Sequence, residues 1–230
     1  MAPEPRLRGR DAEIGKLGEA LDRAASGQLA IVLIEGEAGI GKSRLLAEVL
    51  AAGRGCGMQI ATGRAGELER ARPFGVAADA LGCVRSSADP RRAAVAGLLA
   101  ARGGAEQKPI TVTSDPGLRF RVVDAFTDLT EELALAGPLL IGLDDLHWAD
   151  PASLLLLGAL SRRLADLPVG LIGCFRPSPR VAELDRLTAA LDAAGACHLM
   201  VGPLASGPVT DLVAETVGAE PGPGLLAGIS

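Results

Sequence analysis

Cysteine and histidine are scarce in this chain of 230 residues, which contains four cysteines and two histidines. Cys56, Cys83, Cys174 and Cys197 lie far apart, with no C-x-x-C pair and no pair of histidines nearby. Metal sites built from cysteine need closely spaced ligands, and disulfide frameworks belong mainly to small secreted domains. The sequence therefore argues against both and favours a reducing, cytoplasmic location.

Long apolar runs and an excess of positive charge are also lacking. The longest apolar candidate, Leu133 to Leu143, is interrupted by Gly137-Pro138 and is too short to cross a membrane. The first 16 residues carry several charges and no apolar core, so we predict no signal peptide. A net charge of −5 and a pI near 5.2 provide no basic surface, so we expect no direct contact with nucleic acid.

The chain does contain a glycine-rich octapeptide between an apolar run and a helical pattern. This segment matches the phosphate-binding pattern G-x-x-x-x-G-K-[ST] and reads Gly36-Glu37-Ala38-Gly39-Ile40-Gly41-Lys42-Ser43. The apolar run at 29–34 predicts a buried strand, and the residues from Arg44 onward predict a helix. Strand, glycine turn and helix are the context that this motif requires, so the sequence predicts a nucleoside triphosphate site.

Each residue type in this loop has a chemical reason. The glycines allow backbone conformations in which successive N–H groups point at phosphate oxygens, and the helix dipole adds positive potential there. Lys42 is expected to reach the β- and γ-phosphates, while the Ser43 hydroxyl is expected to ligate Mg²⁺. We include Arg44, the next residue, in the predicted nucleotide site.

A second apolar run, residues 139–143, ends in the acidic pair Asp144-Asp145. Ligands of open α/β sheets lie at the carboxyl ends of the strands, where this pair is placed. We expect Asp144 to hold Mg²⁺, directly or through water, and Asp145 to orient or deprotonate the attacking water. An acidic pair alone is a weak signal, but its position some hundred residues after the loop strengthens it.

Three residues near these motifs leave their roles open. His147 and Trp148 follow the acidic pair. We interpret Trp148 as filling a helix–sheet seam and His147 as a surface or hydrogen-bonded residue, not as catalytic groups. Arg176, after the apolar run 169–175, is as consistent with a γ-phosphate contact as with a surface cation before a turn.

These residues together resemble a known family, the signal-transducing P-loop ATPases with numerous domains (STAND). That group includes the large ATP-binding regulators of LuxR type, and a related AAA module occurs in origin-recognition ATPases. The resemblance spans essentially the whole chain. Its most specific part is the string 144–151, Asp-Asp-Leu-His-Trp-Ala-Asp-Pro, supported by the loop 36–43, by 73–75 (Pro-Phe-Gly) and by 8–13 (Arg-Gly-Arg-Asp-Ala-Glu).

The resemblance implies a three-layer α/β/α P-loop NTPase fold with a parallel five-stranded sheet in the order 5-1-4-3-2. It implies ATP or ADP with Mg²⁺ as cofactors and slow hydrolysis that sets a switch. By the same resemblance, the segment Arg8-Gly9-Arg10 lines the adenine pocket. Arg176 corresponds to the residue that senses the γ-phosphate, which gives it a catalytic role beside Lys42 and Asp145.

The sequence also departs from the family pattern. It has no winged-helix, sensor or helix-turn-helix segment, which we expect as further C-terminal domains or separate chains. We assign residues 1–205 to the ATPase domain and 206–230 to the start of a second, helical domain. Gly142 interrupts the bulky run before Asp144, which predicts weaker local packing. The second acid is Asp145 where many AAA motors place Glu, which suits a switch.

The leading hypothesis is therefore an ATP-binding switch module of a LuxR-type or STAND regulator. One alternative is a free-standing P-loop enzyme, such as an AAA-type ATPase or a small-molecule kinase. A kinase should place several arginines over the phosphates, and only Arg176 is an obvious candidate. A second alternative is an inert fragment of a longer regulator.

Overall fold

The computed structural model of the chain describes residues 7–100, 116–179, 181–204 and 207. Helices and strands alternate through much of this part of the chain. The helices are α1 (Asp11–Ala25), α2 (Lys42–Gly55), α3 (Gly75–Ala80), α4 (Pro90–Leu99), α5 (Pro116–Ala136), α6 (Pro151–Arg163) and α7 (Ala182–Ala193). The strands are β1 (Ala30–Gly36), β2 (Gln59–Arg64), β3 (Leu139–Asp144), β4 (Val169–Phe175) and β5 (Cys197–Val201).

The five strands form one parallel sheet in the order β2-β3-β4-β1-β5. This is the order 5-1-4-3-2 read from the opposite edge, so the fold that the resemblance implied is confirmed. After β1 the chain crosses to β2 at one edge of the sheet and returns through β3 and β4, whereas β5 is added on the other side of β1. The direction in which strands are added therefore changes at β1. Ligands of open α/β sheets bind at such a switch point, outside the carboxyl ends of the strands. The fold therefore directs attention to the loop that follows β1.

The two faces of the sheet are covered by different helices, because side chains alternate along each strand. On one face, Ile31, Leu33 and their counterparts in β3 and β4 pack with residues of α3, α5, α6 and α7. On the other face, Val32 and Ile34 pack with residues of α1 and α2. Strands buried on both faces explain the near-continuous apolar runs in the sequence.

Gly142 lies where helix α2 packs closely against the sheet. A Cβ atom at this position would lie 2.8 Å from Leu50 Cδ2 and 3.1 Å from Leu46 Cδ1. The expectation of weaker packing at Gly142 is therefore wrong. The missing side chain lets two leucines of α2 fill the space above β3, so the glycine serves a close approach between layers.

Several predicted element boundaries move by a few residues. The sequence also predicts helices over 76–84 and 92–101; the first is the shorter α3, and the second begins at Pro90, capped by the Asp89 side chain. It further predicts an extended piece at 110–113, which lies outside the described residues, as does the second domain from residue 206 apart from residue 207. In the described ranges, no helix combines the length and apolar character needed to cross a membrane.

Candidate functional site

The glycine-rich loop connects β1 to α2 at the switch point of the sheet. Gly39 and Gly41 have φ angles of +74° and +107°, a region that side chains other than glycine rarely adopt. Gly36 is required for a different reason, because a Cβ there would lie 2.7 Å from the carbonyl oxygen of Val201 in β5. Glu37, Ala38 and Gly39 are exposed at the crest of the loop. The loop thus has the backbone shape of a phosphate cradle.

Lys42 opens helix α2 with its side chain turned back over the loop. Its ammonium group donates hydrogen bonds to the carbonyl oxygens of Gly36 and Glu37, both at 2.8 Å. The residue is only 6% exposed. A positive charge is thus concentrated inside the curve of the loop, where phosphate oxygens could replace carbonyl oxygens as its partners.

Ser43 and Asp144 meet across 101 residues of sequence. The Ser43 hydroxyl donates a 2.7 Å hydrogen bond to Oδ2 of Asp144, whose other oxygen accepts from the main-chain N–H of Asp145 at 3.0 Å. Asp144 is the last residue of β3, which lies two strands away from β1 in the sheet. A hydroxyl and a carboxylate at this spacing are hard oxygen ligands of the kind that Mg²⁺ prefers, so the residues present fit that ion.

Asp145 is held by an arginine that the sequence analysis did not single out. Its Oδ2 accepts hydrogen bonds from Nε and Nη2 of Arg64, at 3.0 and 2.8 Å. The pKa of the Arg64 guanidinium is raised above its ordinary value, mainly by the hydrogen bond to Asp145. Arg64 is the last residue of β2 and is paired in register with Asp144. The implied sheet order, which places β2 beside β3, was the signal that could have directed attention to it.

His147 is not the surface or hydrogen-bonded residue that the sequence analysis expected. Its side chain is completely buried, and neither ring nitrogen has a hydrogen-bond partner among the described residues. Its Nδ1 lies 4.0 Å from Oδ1 of Asp145. The pKa of His147 is lowered, mainly by burial. The positive charges of Arg176 and Lys42 lower it further, whereas the negative charge of Asp145 raises it in part. The imidazole is therefore a neutral group within the electrostatic reach of the proposed nucleotide site.

Arg176 follows the last residue of β4, at the carboxyl edge of the sheet. Its Nε atom is buried and has no hydrogen-bond partner in the described part of the chain. It follows β4, which lies between β3, ending at Asp144, and β1, which leads into the glycine-rich loop. A γ-phosphate contact from Arg176 stays a prediction, and this location is compatible with it.

The segment 8–10, which the resemblance assigns to the adenine pocket, contains a residue with a structural role. Arg10 is buried, and its Nη2 donates to the carbonyl oxygens of Ile40 in the loop, at 3.2 Å, and Gly202 beyond β5, at 2.6 Å. Its Nη1 pairs with Glu13 at 3.0 Å. Arg8 and Gly9 are exposed just before α1. Their contact with adenine stays a prediction, whereas Arg10 ties the loop to the segment after β5.

Asp150 joins two motifs that looked independent in the sequence. Its carboxylate caps α6 by accepting from the Ser153 N–H at 2.9 Å and from the Ser153 hydroxyl at 2.6 Å. It also accepts from the main-chain N–H groups of Phe74 and Gly75, at 2.8 and 3.1 Å, where α3 begins. Phe74 is fully buried with φ +60°. One buried carboxylate therefore holds the starts of two helices that flank the site.

Comparison with solved structures gives the same fold at low sequence identity. The Aeropyrum pernix ORC1 protein in complex with DNA matches with a TM-score of 0.58 and 22% identity, covering 94% of this chain and 51% of that chain. AMPPCP-bound DnaA from Aquifex aeolicus matches with a TM-score of 0.57 and 12% identity, covering 98% of this chain and 57% of that one. The chain thus spans about half the length of these structures.

Comparison with protein sequences identifies a family and a longer relative. The uncharacterised protein R02095 of Rhizobium meliloti (strain 1021) is 30% identical over 195 residues, which is 76% of this chain and 19% of that protein. The AAA ATPase domain family matches residues 6–172, which include the glycine-rich loop and the pair Asp144-Asp145. This match extends over well more than half of the chain, and the protein therefore belongs to the AAA ATPase domain family.

Proposed function

We propose that this chain is a Mg²⁺-dependent ATP-binding switch module with slow hydrolysis. The observation that carries the proposal is the 2.7 Å hydrogen bond between the Ser43 hydroxyl and the Asp144 carboxylate. It brings the two expected metal ligands together at the carboxyl edge of the sheet, beside the loop that holds Lys42. A Mg²⁺ ion bound there would offset the negative charge of the β- and γ-phosphates.

In this proposal the residues of the chain bind and orient the nucleotide. The main-chain N–H groups of the loop 36–43 donate hydrogen bonds to the phosphate oxygens, and the N-terminus of α2 adds the positive end of its dipole. Lys42 exchanges its carbonyl partners for the β- and γ-phosphates. Asp145 aligns a water molecule with the γ-phosphate, and Arg176 stabilises the charge that develops on the transferred group.

Two observations support a switch rather than a fast enzyme. Arg64 holds Oδ2 of the Asp145 carboxylate in an ion pair, which fixes the side chain in an orientation set by Arg64 and not by an attacking water molecule. The chain also spans only 19% of its Rhizobium meliloti relative, which supports an ATPase module that acts with further domains. On the analogy with LuxR-type regulators, those domains are a winged helix, a sensor region and a helix-turn-helix.

Nucleotide affinity tests the proposal directly. We expect Lys42→Ala to weaken Mg-ATP binding at least about 100-fold, because a charge-assisted contact to phosphate is lost. Isothermal titration calorimetry measures this, with Lys16→Ala on the exposed side of α1 as the matched control. Unchanged affinity in Lys42→Ala would refute the proposed site.

Ser43→Ala and Asp144→Asn test the metal ligands separately from the loop. Both variants should retain the affinity for ATP in EDTA and lose the gain in affinity that Mg²⁺ gives the parent protein. A Mg²⁺ dependence equal to that of the parent in both variants would contradict the assignment. For the regulator context, DNA sequence beyond the Ser230 codon that lacks any winged-helix or helix-turn-helix frame would argue against a LuxR-type protein.

A further inference from the structure

The buried imidazole of His147 has no structural explanation in the fold as it stands. Its side chain has no solvent exposure, and both ring nitrogens are without a hydrogen-bond partner in the described residues. Leaving a buried polar group unpartnered costs free energy, and native proteins do so at few positions. A leucine of similar size would fill the same space without that cost.

The surroundings of His147 show which partner is within reach. Its Nδ1 lies 4.0 Å from Oδ1 of Asp145, about 1 Å longer than a hydrogen bond. Arg64 engages only the other oxygen, Oδ2. In the described part of the chain Oδ1 accepts no hydrogen bond, so an unpartnered acceptor faces an unpartnered ring nitrogen.

We propose that His147 is a positioning residue for Asp145, an inference that rests on the ATPase function proposed above. When the nucleotide is bound and the Asp145 carboxylate leaves Arg64, the neutral imidazole donates its Nδ1–H to Oδ1. The bond holds the carboxylate in the orientation in which its free oxygen meets the attacking water. His147 thus fixes the active orientation of Asp145, and Arg64 fixes the resting one.

The backbone supports this pairing. Asp145 has φ +56° and ψ +39°, and it immediately precedes the short 3₁₀ turn Leu146–Trp148. The N–H of Trp148 closes this turn on the carbonyl of Asp145 at 2.8 Å. The Nδ1 of His147 and Oδ1 of Asp145 lie 4.0 Å apart across this turn, so a rotation of the carboxylate that shortens the distance by about 1 Å would form the hydrogen bond.

Substitutions at His147 distinguish positioning from structural support. The amide nitrogen of asparagine takes the place of Nδ1, whereas that of glutamine takes the place of Nε2. We expect His147→Asn to retain most of the single-turnover rate. His147→Leu and His147→Gln should lower that rate about tenfold or more, in the range of general base effects. The affinity for Mg-ATP should stay within about twofold in all three variants, because the imidazole acts on the chemical step.

Thermal unfolding without nucleotide provides the readout that a structural role would change. His147→Leu should have a Tm equal to or above that of the parent, since no hydrogen bond of the fold is lost. The matched control is Thr130→Val in α5, which also replaces a fully buried polar side chain but lies remote from the site. It should leave the turnover rate unchanged.

The outcomes distinguish failure of the role proposed for His147 from failure of the proposed ATPase function. If the parent protein binds no Mg-ATP, the proposed function and this inference both fail. If the parent binds and hydrolyses ATP while His147→Leu is as fast, only this inference fails. A lower Tm together with weaker ATP binding in His147→Leu would assign His147 a structural role, and rescue by glutamine but not asparagine would overturn the choice of Nδ1.

Discussion

At the scale of single residues, the arrangement around Asp145 is the least expected feature of the site. The paired carboxylates could be read from the sequence because an apolar strand delivers them next to a phosphate loop. Arg64 was missed although the implied sheet order places β2 beside β3, because the sequence does not specify the register that sets Arg64 opposite Asp144. The burial of His147 was missed for a similar reason, because it depends on tertiary packing around the turn, which contacts β4.

The Arg64–Asp145 pair predicts a variant with increased turnover. Arg64→Ala removes two hydrogen bonds from Asp145, and its side chain is 71% exposed, so the fold should lose little stability. An exposed ion pair contributes up to about 1 kcal/mol, so we expect the rate of ATP hydrolysis to rise up to roughly fivefold. Phosphate release under saturating Mg-ATP measures the effect.

Arg70→Ala, a neighbouring exposed arginine, is the control for that experiment. A rate that falls in Arg64→Ala but not in the control would show that Arg64 assists hydrolysis instead of restraining it.

His147 also predicts a pH dependence of stability. Burial, with Arg176 and Lys42, lowers the pKa of the folded imidazole below its ordinary value of 6.5, while Asp145 and Asp144 raise it in part. Below that ordinary pKa the unfolded chain binds a proton that the folded chain does not, so acid favours unfolding. The free energy of unfolding should therefore fall more steeply in the parent than in His147→Leu between about pH 7.5 and 5.5. Urea titrations at several pH values test this, and equal slopes would contradict it.

At the scale of elements, the strongest long-range connection is the double capping by Asp150. In the sequence, Asp150 followed by Pro151 predicts only a local role, an N-cap at the start of α6. The segment 73–75 supported the family resemblance but had no structural role attached to it. The carboxylate that joins them is a tertiary contact, and local patterns carry no information on which distant N–H groups a capping side chain will also accept.

Asp150→Ala should therefore cost more than the loss of a single helix cap. The cap of α6 disappears, and the buried N–H groups of Phe74 and Gly75 lose their acceptor. Together these losses predict a decrease of roughly 3 kcal/mol in the free energy of unfolding. Chemical denaturation measures it, and Asp89→Ala, which removes the cap of the more exposed helix α4, is the comparison. Equal losses in the two variants would show that the second connection contributes nothing.

At the scale of the whole molecule, the sheet and its order followed from the resemblance, and the phosphate loop followed from residue chemistry alone. Those features depend on local patterns, namely the glycine-rich motif, the apolar strands and the acidic pair at the end of β3. What could not be predicted are the contacts between elements, such as Arg10 with Gly202 and Gly142 with Leu50. They depend on how the layers are stacked, which a single sequence does not specify.

The four free cysteines provide a probe of the whole fold. Cys56 is exposed, whereas burial raises the pKa of Cys83 to about 11 and that of the completely buried Cys174 further above its ordinary value. We expect a thiol reagent such as Ellman's reagent to modify Cys56 rapidly and the two buried thiols only after the fold opens. The double variant Cys56→Ser/Cys197→Ser, which also removes the half-buried thiol, isolates the slow phase.

Saturating Mg-ATP should slow that phase further, because a ligand that binds only the folded state stabilises it by about 2.7 kcal/mol at 100 times its Kd. Cys174 lies directly beneath the loop, with its sulfur 3.9 Å from the carbonyl oxygen of Lys42. Rapid modification of Cys174 in the folded protein would show that this layer of the core is open.

The guanidinium of Arg10 has one further consequence. By bonding to Ile40 and Gly202 together, it fastens the phosphate cradle to the place where the chain leaves the sheet. When the cradle binds or releases nucleotide, a movement of Ile40 would be passed to Gly202 through the Arg10 side chain, which bonds to both carbonyl oxygens. Any domain attached downstream would then be reoriented according to whether the cradle holds a triphosphate, a diphosphate or nothing.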